Sequence, residues 1–157
     1  RDYYENLIYQ TNRVRSEGVS SINDYYLLAE KKTLNFSHYF IMLIEYIEGT
    51  GLEQYVDVPE HIKKEISDSI KELHDHGMVS GDPHKANFIV SEQGLRLIDL
   101  SGKKTSPLLK AKDRLDLERH YGIKNTLHDS GYNSLLFKKK VKNIIREIKV
   151  KLGLKKR

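Results

Sequence analysis

Two short apolar segments joined by a glycine-containing turn constrain the fold of this chain more than any other feature of its sequence. The segments are residues 88–91 (Phe-Ile-Val-Ser) and 95–98 (Leu-Arg-Leu-Ile), and Glu92-Gln93-Gly94 lies between them. Apolar and β-branched residues favour extended backbone, and glycine adopts positive φ at little steric cost. The pattern therefore predicts a β-hairpin with a three-residue loop.

Polar residues flank the predicted hairpin at equal distances from its loop. Asn87 lies six residues before Gln93, the centre of the loop, and Asp99 lies six residues after it. In this register we expect the two side chains side by side at the open end of the hairpin. Their oxygens suit Mg²⁺, which usually takes one or two protein ligands besides water and phosphate. Asp82, on the loop entering the first strand, could orient an incoming hydroxyl, so the three residues predict a phosphoryl-transfer site.

The spacing of these residues also carries a resemblance. The sequence reads Leu-His-x-x-Gly over 73–77, then Gly-Asp-x-His-x-x-Asn over 81–87, then the hairpin and Asp99. It resembles the catalytic loop and metal-binding aspartate of the protein-kinase-like fold. It is closest to the small-molecule branch that contains aminoglycoside and choline phosphotransferases. Within that branch, the whole chain is similar to the heptose kinases of bacterial lipopolysaccharide core assembly, in particular those acting on the second heptose.

The resemblance implies roles for individual residues. Asp82 would orient the acceptor hydroxyl or accept its proton, and Asn87 would bind one Mg²⁺. Asp99 would bridge the metal to the β- and γ-phosphates of ATP. Lys85 would approach the γ-phosphate, although a solvated lysine explains this residue equally well. His84 would support the loop by bonding backbone carbonyls.

A second segment resembles the hinge of such kinases. In Glu45-Tyr46-Ile47-Glu48-Gly49, backbone groups of Glu45 and Ile47 would hold adenine, with Ile44 near the gatekeeper position. The cofactors implied are therefore ATP and Mg²⁺.

The remaining patterns predict an α+β fold. We expect a helix over 2–17, strands over 25–29 and 40–45, and helices over 59–76 and 110–121, with a last helix in the tail. In kinase terms, residues 1–48 would end a small lobe and residues 49–137 would form a mainly helical large lobe with the catalytic hairpin. Residues 138–157 would form a basic amphipathic tail.

Charge is concentrated in that tail. Residues 138–157 contain ten Lys or Arg and one acidic residue, Glu147, so residues 1–137 carry a net charge of −4 against a total of +5. Such a tail favours an anionic partner. Two interpretations stay open, an interfacial helix on anionic lipid and a helix that packs its apolar face on the large lobe. The acidic body and the lack of aromatic residues among the tail lysines disfavour a nucleic-acid partner.

Parts of a nucleotide site are missing from the sequence. The chain begins at Arg1 without an initiator methionine, which we interpret as a fragment whose glycine-rich loop and strand lysine would lie upstream. Glu5 or Asp2 would pair with that lysine. The sequence has no cysteine, which excludes disulfides and thiolate chemistry.

The function expected from the resemblance is ATP-dependent phosphorylation of a sugar hydroxyl, most specifically a heptose of the lipopolysaccharide inner core. The enzyme would work peripherally at the cytoplasmic face of the bacterial inner membrane. Two alternatives stay open, a kinase of another small molecule such as an aminoglycoside or choline, and an inactive kinase-like binding module. The sequence does not indicate an oligomeric state.

Overall fold

The structure is a computed structural model that describes residues 3–33 and 36–151, and within them it has the predicted α+β composition. The helices are α1 (Tyr3–Ser16), α2 (Glu60–Asp75), α3 (Pro107–Tyr121) and α4 (Ser130–Lys151). The strands are β1 (Tyr25–Thr33), β2 (Phe36–Ile44), β3 (Thr50–Gly51), β4 (Phe88–Ser91) and β5 (Gly94–Leu97). Short 3₁₀ helices cover Leu52–Gln54 and Lys85–Asn87.

The strands of the described part form two antiparallel sheets. β1 pairs with β2, and β4 lies between β3 and β5. Strand β1 extends beyond its predicted end at residue 29, and β2 begins before its predicted start at residue 40, because their pairing continues through polar residues such as Glu30 and Lys31. Hydrophobicity alone could not indicate this extension.

The predicted hairpin is present, but its loop has two residues and not three. Ser91 pairs with Gly94, so Gly94 belongs to β5 and only Glu92 and Gln93 form the loop. The Ser91 hydroxyl explains the tighter turn, because it donates to the Gly94 carbonyl (2.8 Å) and accepts from the Gln93 amide (3.2 Å). Gly94 keeps positive φ, at 104°.

This register moves the expected pairing at the open end by one residue. The Ile98 amide donates to the Asn87 carbonyl at 2.9 Å, so Asn87 lies opposite Ile98 and not opposite Asp99. The symmetric pairing of Asn87 with Asp99 across the strands was therefore wrong. Both residues still lie at the open end, one at each strand.

Helix α2 confirms the clearest sequence prediction. Pro59 precedes its first turn, and Gly77 follows it with φ of 76°, in the left-handed conformation that ends many helices. The apolar residues of this helix form one buried stripe; it consists of Ile62, Ile66, Ile70 and Leu73. These residues join the main core with Phe88 and Leu97 of the hairpin. The core thus fixes the hairpin against the helix that delivers the chain to the predicted catalytic loop.

Helix α3 begins three residues earlier than predicted. The Ser106 hydroxyl accepts from the Leu109 amide at 3.2 Å, and Pro107 occupies the first turn, which is a standard helix start.

Helix α4 runs through the predicted boundary between residues 137 and 138 without interruption. Its first turn is held by Asp129, which accepts from the Tyr132 amide at 2.9 Å and pairs with Arg114 of α3 at 2.7 Å. Gly131 lies so close to α3 that a Cβ there would collide with the Pro107 carbonyl. Within residues 3–33 and 36–151, no helix is both long enough and apolar enough to cross a bilayer.

Candidate active site

The loop predicted to be catalytic leaves α2 and is fixed along its backbone by the segment after the hairpin. The Val79 amide donates to the Lys103 carbonyl at 3.0 Å, and the Ser101 amide donates to the Ser80 carbonyl at 3.1 Å. The Ser101 hydroxyl also donates to the Val79 carbonyl at 3.2 Å. These bonds hold the chain rigidly as it approaches Asp82.

Asp113 of α3 holds the same loop from the other side. Its carboxylate is buried and accepts hydrogen bonds from the Ser80 amide (2.9 Å) and the Gly81 amide (3.1 Å). The same carboxylate lies 3.0 Å from Nε2 of the buried His74 in the last turn of α2. One buried acid thus links two helices to the two residues that precede Asp82.

Sequence reasoning did not identify Asp113 as a functional residue. It lies four residues before the buried Leu117, on the face that α3 turns toward the protein interior. An acidic residue on the buried face of a predicted helix requires a hydrogen-bonding partner inside the protein. The position of Asp113 on this face could therefore have indicated a buried hydrogen-bonding role. The sequence could not indicate which residues would be its partners.

Gly81 explains how the loop can approach the hairpin exit. Its φ is 89°, and a Cβ at this position would lie 2.7 Å from the Cβ and Oγ atoms of Ser101. Only glycine fits both the conformation and the space. The Gly81 carbonyl accepts from Lys112 Nζ at 2.7 Å, which fixes the peptide before Asp82 to α3 once more.

The Asp82 side chain is exposed, whereas its backbone is anchored. The Asp82 carbonyl accepts from Asn87 Nδ2 at 2.8 Å, which closes the loop between the two residues. Because the amide nitrogen of Asn87 is engaged in this way, its oxygen is the atom left for a cation. A carboxylate exposed on a fixed loop can meet an incoming hydroxyl without rearrangement of the backbone.

His84 supports the loop, but not through the contacts that were expected. Its Nδ1 accepts from the Ala86 amide at 3.2 Å and caps the short helix Lys85–Asn87. The expectation that it bonds backbone carbonyls was therefore wrong, because the unpaired donors at a helix start need an acceptor. Its Nε2 lies 3.8 Å from Asp82 Oδ2.

Tyr121, the last residue of α3, lies near enough to Asp82 to be affected by its charge. Burial first, and the negative charge of Asp82 second, raise the pKa of the Tyr121 hydroxyl well above its usual value. Its ring packs edge-on against Phe88, with the ring centroids 6.0 Å apart. Within the described residues, the buried hydroxyl has no hydrogen-bond partner.

The Lys85 ammonium donates to the Tyr55 carbonyl at 3.1 Å. This contact fixes the side chain against the segment that leads into α2. A lysine has three donors, so this bond leaves two for other acceptors.

Asp99 has an unusual backbone conformation. Its φ is 54°, and within the described part it is the single residue other than glycine with positive φ. Aspartate tolerates this region better than most residues, and such conformations cluster at functional sites. Its side chain is exposed and lines a cavity of about 640 Å³.

The segment expected to be the hinge lines that cavity too. Glu45 and Ile47 line it together with Ile44, Ile98 and Asp99. Among the described residues, nothing hydrogen-bonds the Glu45 carbonyl or the Ile47 amide. The residues that carry these two unpaired backbone groups thus line a mostly apolar cavity, and a flat heteroaromatic ring needs such a surface with a few polar groups.

The Glu45 side chain has a structural role. Its carboxylate accepts from Arg96 at 2.6 Å and from the Asp24 amide at 3.0 Å, and the Arg96 guanidinium also donates to the Ile22 carbonyl at 3.0 Å. These contacts tie the start of the hinge segment to β5. Sequence reasoning did not predict that Arg96 would be buried, because it lies in a strand whose other residues are mostly apolar.

Four histidines are exposed, namely His38, His61, His120 and His128. Glu5 is exposed on α1, and Asp2 lies outside the described residues. Within the described residues, no group of three or more His, Cys, Asp or Glu could hold a metal ion. The Asn87 and Asp99 oxygens are compatible with Mg²⁺, which does not need such a group.

Comparison with known proteins identifies the family of this chain. Residues 1–151 match the family model described as lipopolysaccharide core biosynthesis protein (WaaY). A curated relative from Escherichia coli strain K12, named lipopolysaccharide core heptose(II) kinase WaaY, is 55% identical over 150 residues. A second Escherichia coli protein of the same name is 51% identical over 150 residues. Each alignment covers 96% of this chain and 65% of the relative, so the chain spans about two thirds of their length. The chain belongs to the WaaY family of lipopolysaccharide core biosynthesis proteins.

Proposed function

We propose that the protein transfers the γ-phosphate of ATP to a sugar hydroxyl of the lipopolysaccharide core, most specifically to a heptose. The observation that carries this proposal is the cavity that Glu45, Ile47 and Asp99 line together. It combines free backbone groups suited to adenine with a carboxylate suited to a phosphate-bound cation. In kinase terms, residues 1–48 end a small lobe and residues 49–137 form the large lobe.

In the proposed site, Asn87 and Asp99 would hold Mg²⁺, and bound Mg·ATP would supply the phosphoryl group and neutralise charge on its oxygens. The Asp82 carboxylate accepts or orients the proton of the acceptor hydroxyl. Lys85 contributes positive charge beside the phosphates. Asp113 positions the loop and touches neither reactant, because its oxygens are occupied by Ser80, Gly81 and His74.

The acceptor is proposed from the relatives. Both relatives are named lipopolysaccharide core heptose(II) kinase, which indicates the second heptose as the acceptor. Because that core is linked to lipid, the protein would work peripherally at the cytoplasmic face of the inner membrane.

The test is transfer of labelled γ-phosphate from ATP to lipopolysaccharide core that lacks this phosphate, measured with the complete gene product. Asp82→Asn should reduce turnover by about 10²–10⁴-fold, the usual contribution of a general base. Asp99→Asn keeps a side chain that tolerates positive φ and removes only the charge, so it should raise the Mg²⁺ concentration needed for transfer. Asp57→Asn is the matched control, because Asp57 is an exposed carboxylate that does not line the cavity.

Near-normal turnover in Asp82→Asn would eliminate the base assignment. Unchanged Mg²⁺ dependence in Asp99→Asn would eliminate the ligand assignment. Transfer to an aminoglycoside or to choline in preference to the core would contradict the proposed acceptor and favour a kinase of another small molecule. Nucleotide binding without transfer to any of these acceptors would favour a binding module.

A further inference from the structure

Helix α4 carries an apolar stripe that the rest of the described chain does not cover. The stripe consists of Phe137, Val141, Ile144, Ile145 and Ile148. These positions follow the i, i+4, i+7, i+8, i+11 spacing of one helix face. Their relative exposures lie between 36% and 70%. The alternative in which this face packs on the large lobe is therefore not what the structure shows.

The stripe lies beyond the first turn of α4, which is anchored to α3. The first turn is anchored by Gly131 against Pro107 and by the Asp129 pair with Arg114. From residue 136 to residue 149, every residue of α4 is exposed. The helix is therefore attached at its beginning and presents its later turns as a free surface.

Basic residues border the stripe. Between residues 138 and 151 the helix has seven Lys or Arg and one acidic residue, Glu147. At 100° per residue, Lys138, Lys142 and Lys149 fall along one border of the stripe, and Lys140 falls along the other. Long basic side chains at the borders of an apolar stripe can reach phosphate groups while the stripe enters the acyl region.

We infer that α4 is an interfacial helix that binds the surface of an anionic phospholipid bilayer through residues 137–149. A second copy of this chain fits the surface less well, because pairing two such stripes would bring like charges together. A nucleic acid would use the lysines and leave the five apolar side chains in water. An anionic bilayer is the partner that satisfies both the apolar stripe and its charged borders.

This inference goes beyond phosphate transfer and is tested without it. The measurement is sedimentation of the complete gene product with vesicles of phosphatidylglycerol and phosphatidylethanolamine, compared with vesicles of phosphatidylcholine alone. Binding should require the anionic lipid and should weaken as salt is added. Equal binding to both vesicle types would overturn the charge-dependent attachment.

Two sets of substitutions separate charge from hydrophobicity. The first replaces Lys138, Lys142 and Lys149 by Glu and should lower vesicle partitioning by at least about a hundredfold. Its matched control makes the same charge change at three exposed lysines outside α4, namely Lys64, Lys71 and Lys124.

The second set, Ile144→Gln with Ile148→Gln, should lower partitioning by more than about tenfold. Its matched control replaces Val56 and Leu127 by Gln, because these apolar residues are also exposed, at 92% and 53%.

Both control proteins should bind vesicles like the unmodified protein. Because the stripe is exposed, Ile144→Gln with Ile148→Gln should leave the Tm unchanged. A large fall in Tm would show that another protein segment covers the stripe, and conversion of a dimer into a monomer would assign it to a second copy. Either result, or undiminished vesicle binding, would overturn the inference.

Discussion

Replacing Asp113 by alanine should detach the loop that carries Asp82 from the helical part of the protein. The carboxylate is 1% exposed and receives three hydrogen bonds, from the Ser80 and Gly81 amides and from His74. Its removal leaves two backbone amides and an imidazole without their partner. It also leaves a cavity where the side chain was.

The magnitude follows from the burial of this carboxylate. A hydrogen bond to a charged group contributes about 1.5–3 kcal/mol, but such contributions are not additive when they share one acceptor. Each of the three buried donors left without its acceptor costs about 1–3 kcal/mol. We therefore expect Asp113→Ala to reduce the free energy of unfolding by about 3–5 kcal/mol, a large part of the stability of a domain of this size.

Urea unfolding measures the loss, and amide hydrogen exchange locates it. Protection should fall most at Ser80 and Gly81, and phosphate transfer should fall with it. Asp116→Ala is the matched control, because Asp116 lies one turn further along α3 and is also buried, but its carboxylate pairs with the exposed Lys112 and Arg119. The control should cost less than Asp113→Ala, because water can replace the lost carboxylate at both exposed partners. If Asp113→Ala costs no more than the control and leaves Ser80 and Gly81 protected, Asp113 does not organise the loop.

Two further substitutions test the loop and the contact between α1 and the chain entering β1. Gly81→Ala should destabilise the protein by more than Gly94→Ala, because both positions have positive φ but only at Gly81 would the added Cβ collide with Ser101. The backbone strain common to both variants is about 1–2 kcal/mol. Thermal unfolding of the two variants measures the difference. Asp24 has a pKa held below its usual value by the Arg15 guanidinium, so the pair contributes stability above the unfolded-state pKa of about 3.9 and loses it as pH falls toward the folded-state value. Asp24→Asn should therefore flatten the acid side of the stability profile, measured by urea midpoints from pH 6 downward, and an unchanged slope would contradict this role.

The sequence predicts those features of the fold that depend on local signals. Pro59 and Gly77 define the ends of α2, and its apolar spacing identifies the buried face. The hairpin follows from its two apolar strands and the polar turn. Each of these signals lies within a few residues of the feature that it specifies, so no tertiary information is needed.

Features set by side chains could not be predicted in the same way. The hydroxyl of Ser91 decides between a two-residue and a three-residue loop, and this choice shifts Asn87 by one position relative to Asp99. A register depends on such single contacts, because a shift of one residue exchanges the two faces of a strand. Asp113 lies 32 residues beyond Gly81, and no local pattern indicates that the two will meet.

Helix α3 connects the two surfaces for which functions are proposed. Asp113 fixes the loop that carries Asp82, and the next residue, Arg114, pairs with Asp129 at the start of α4. One helix therefore sets the position of the exposed Asp82 carboxylate relative to the first turn of α4. A free sugar would gain nothing from this arrangement, whereas a lipid-linked sugar is confined to a fixed height above the bilayer. Attachment through α4 would hold Asp82 at a matching height, which favours a lipid-linked acceptor over a freely diffusing one.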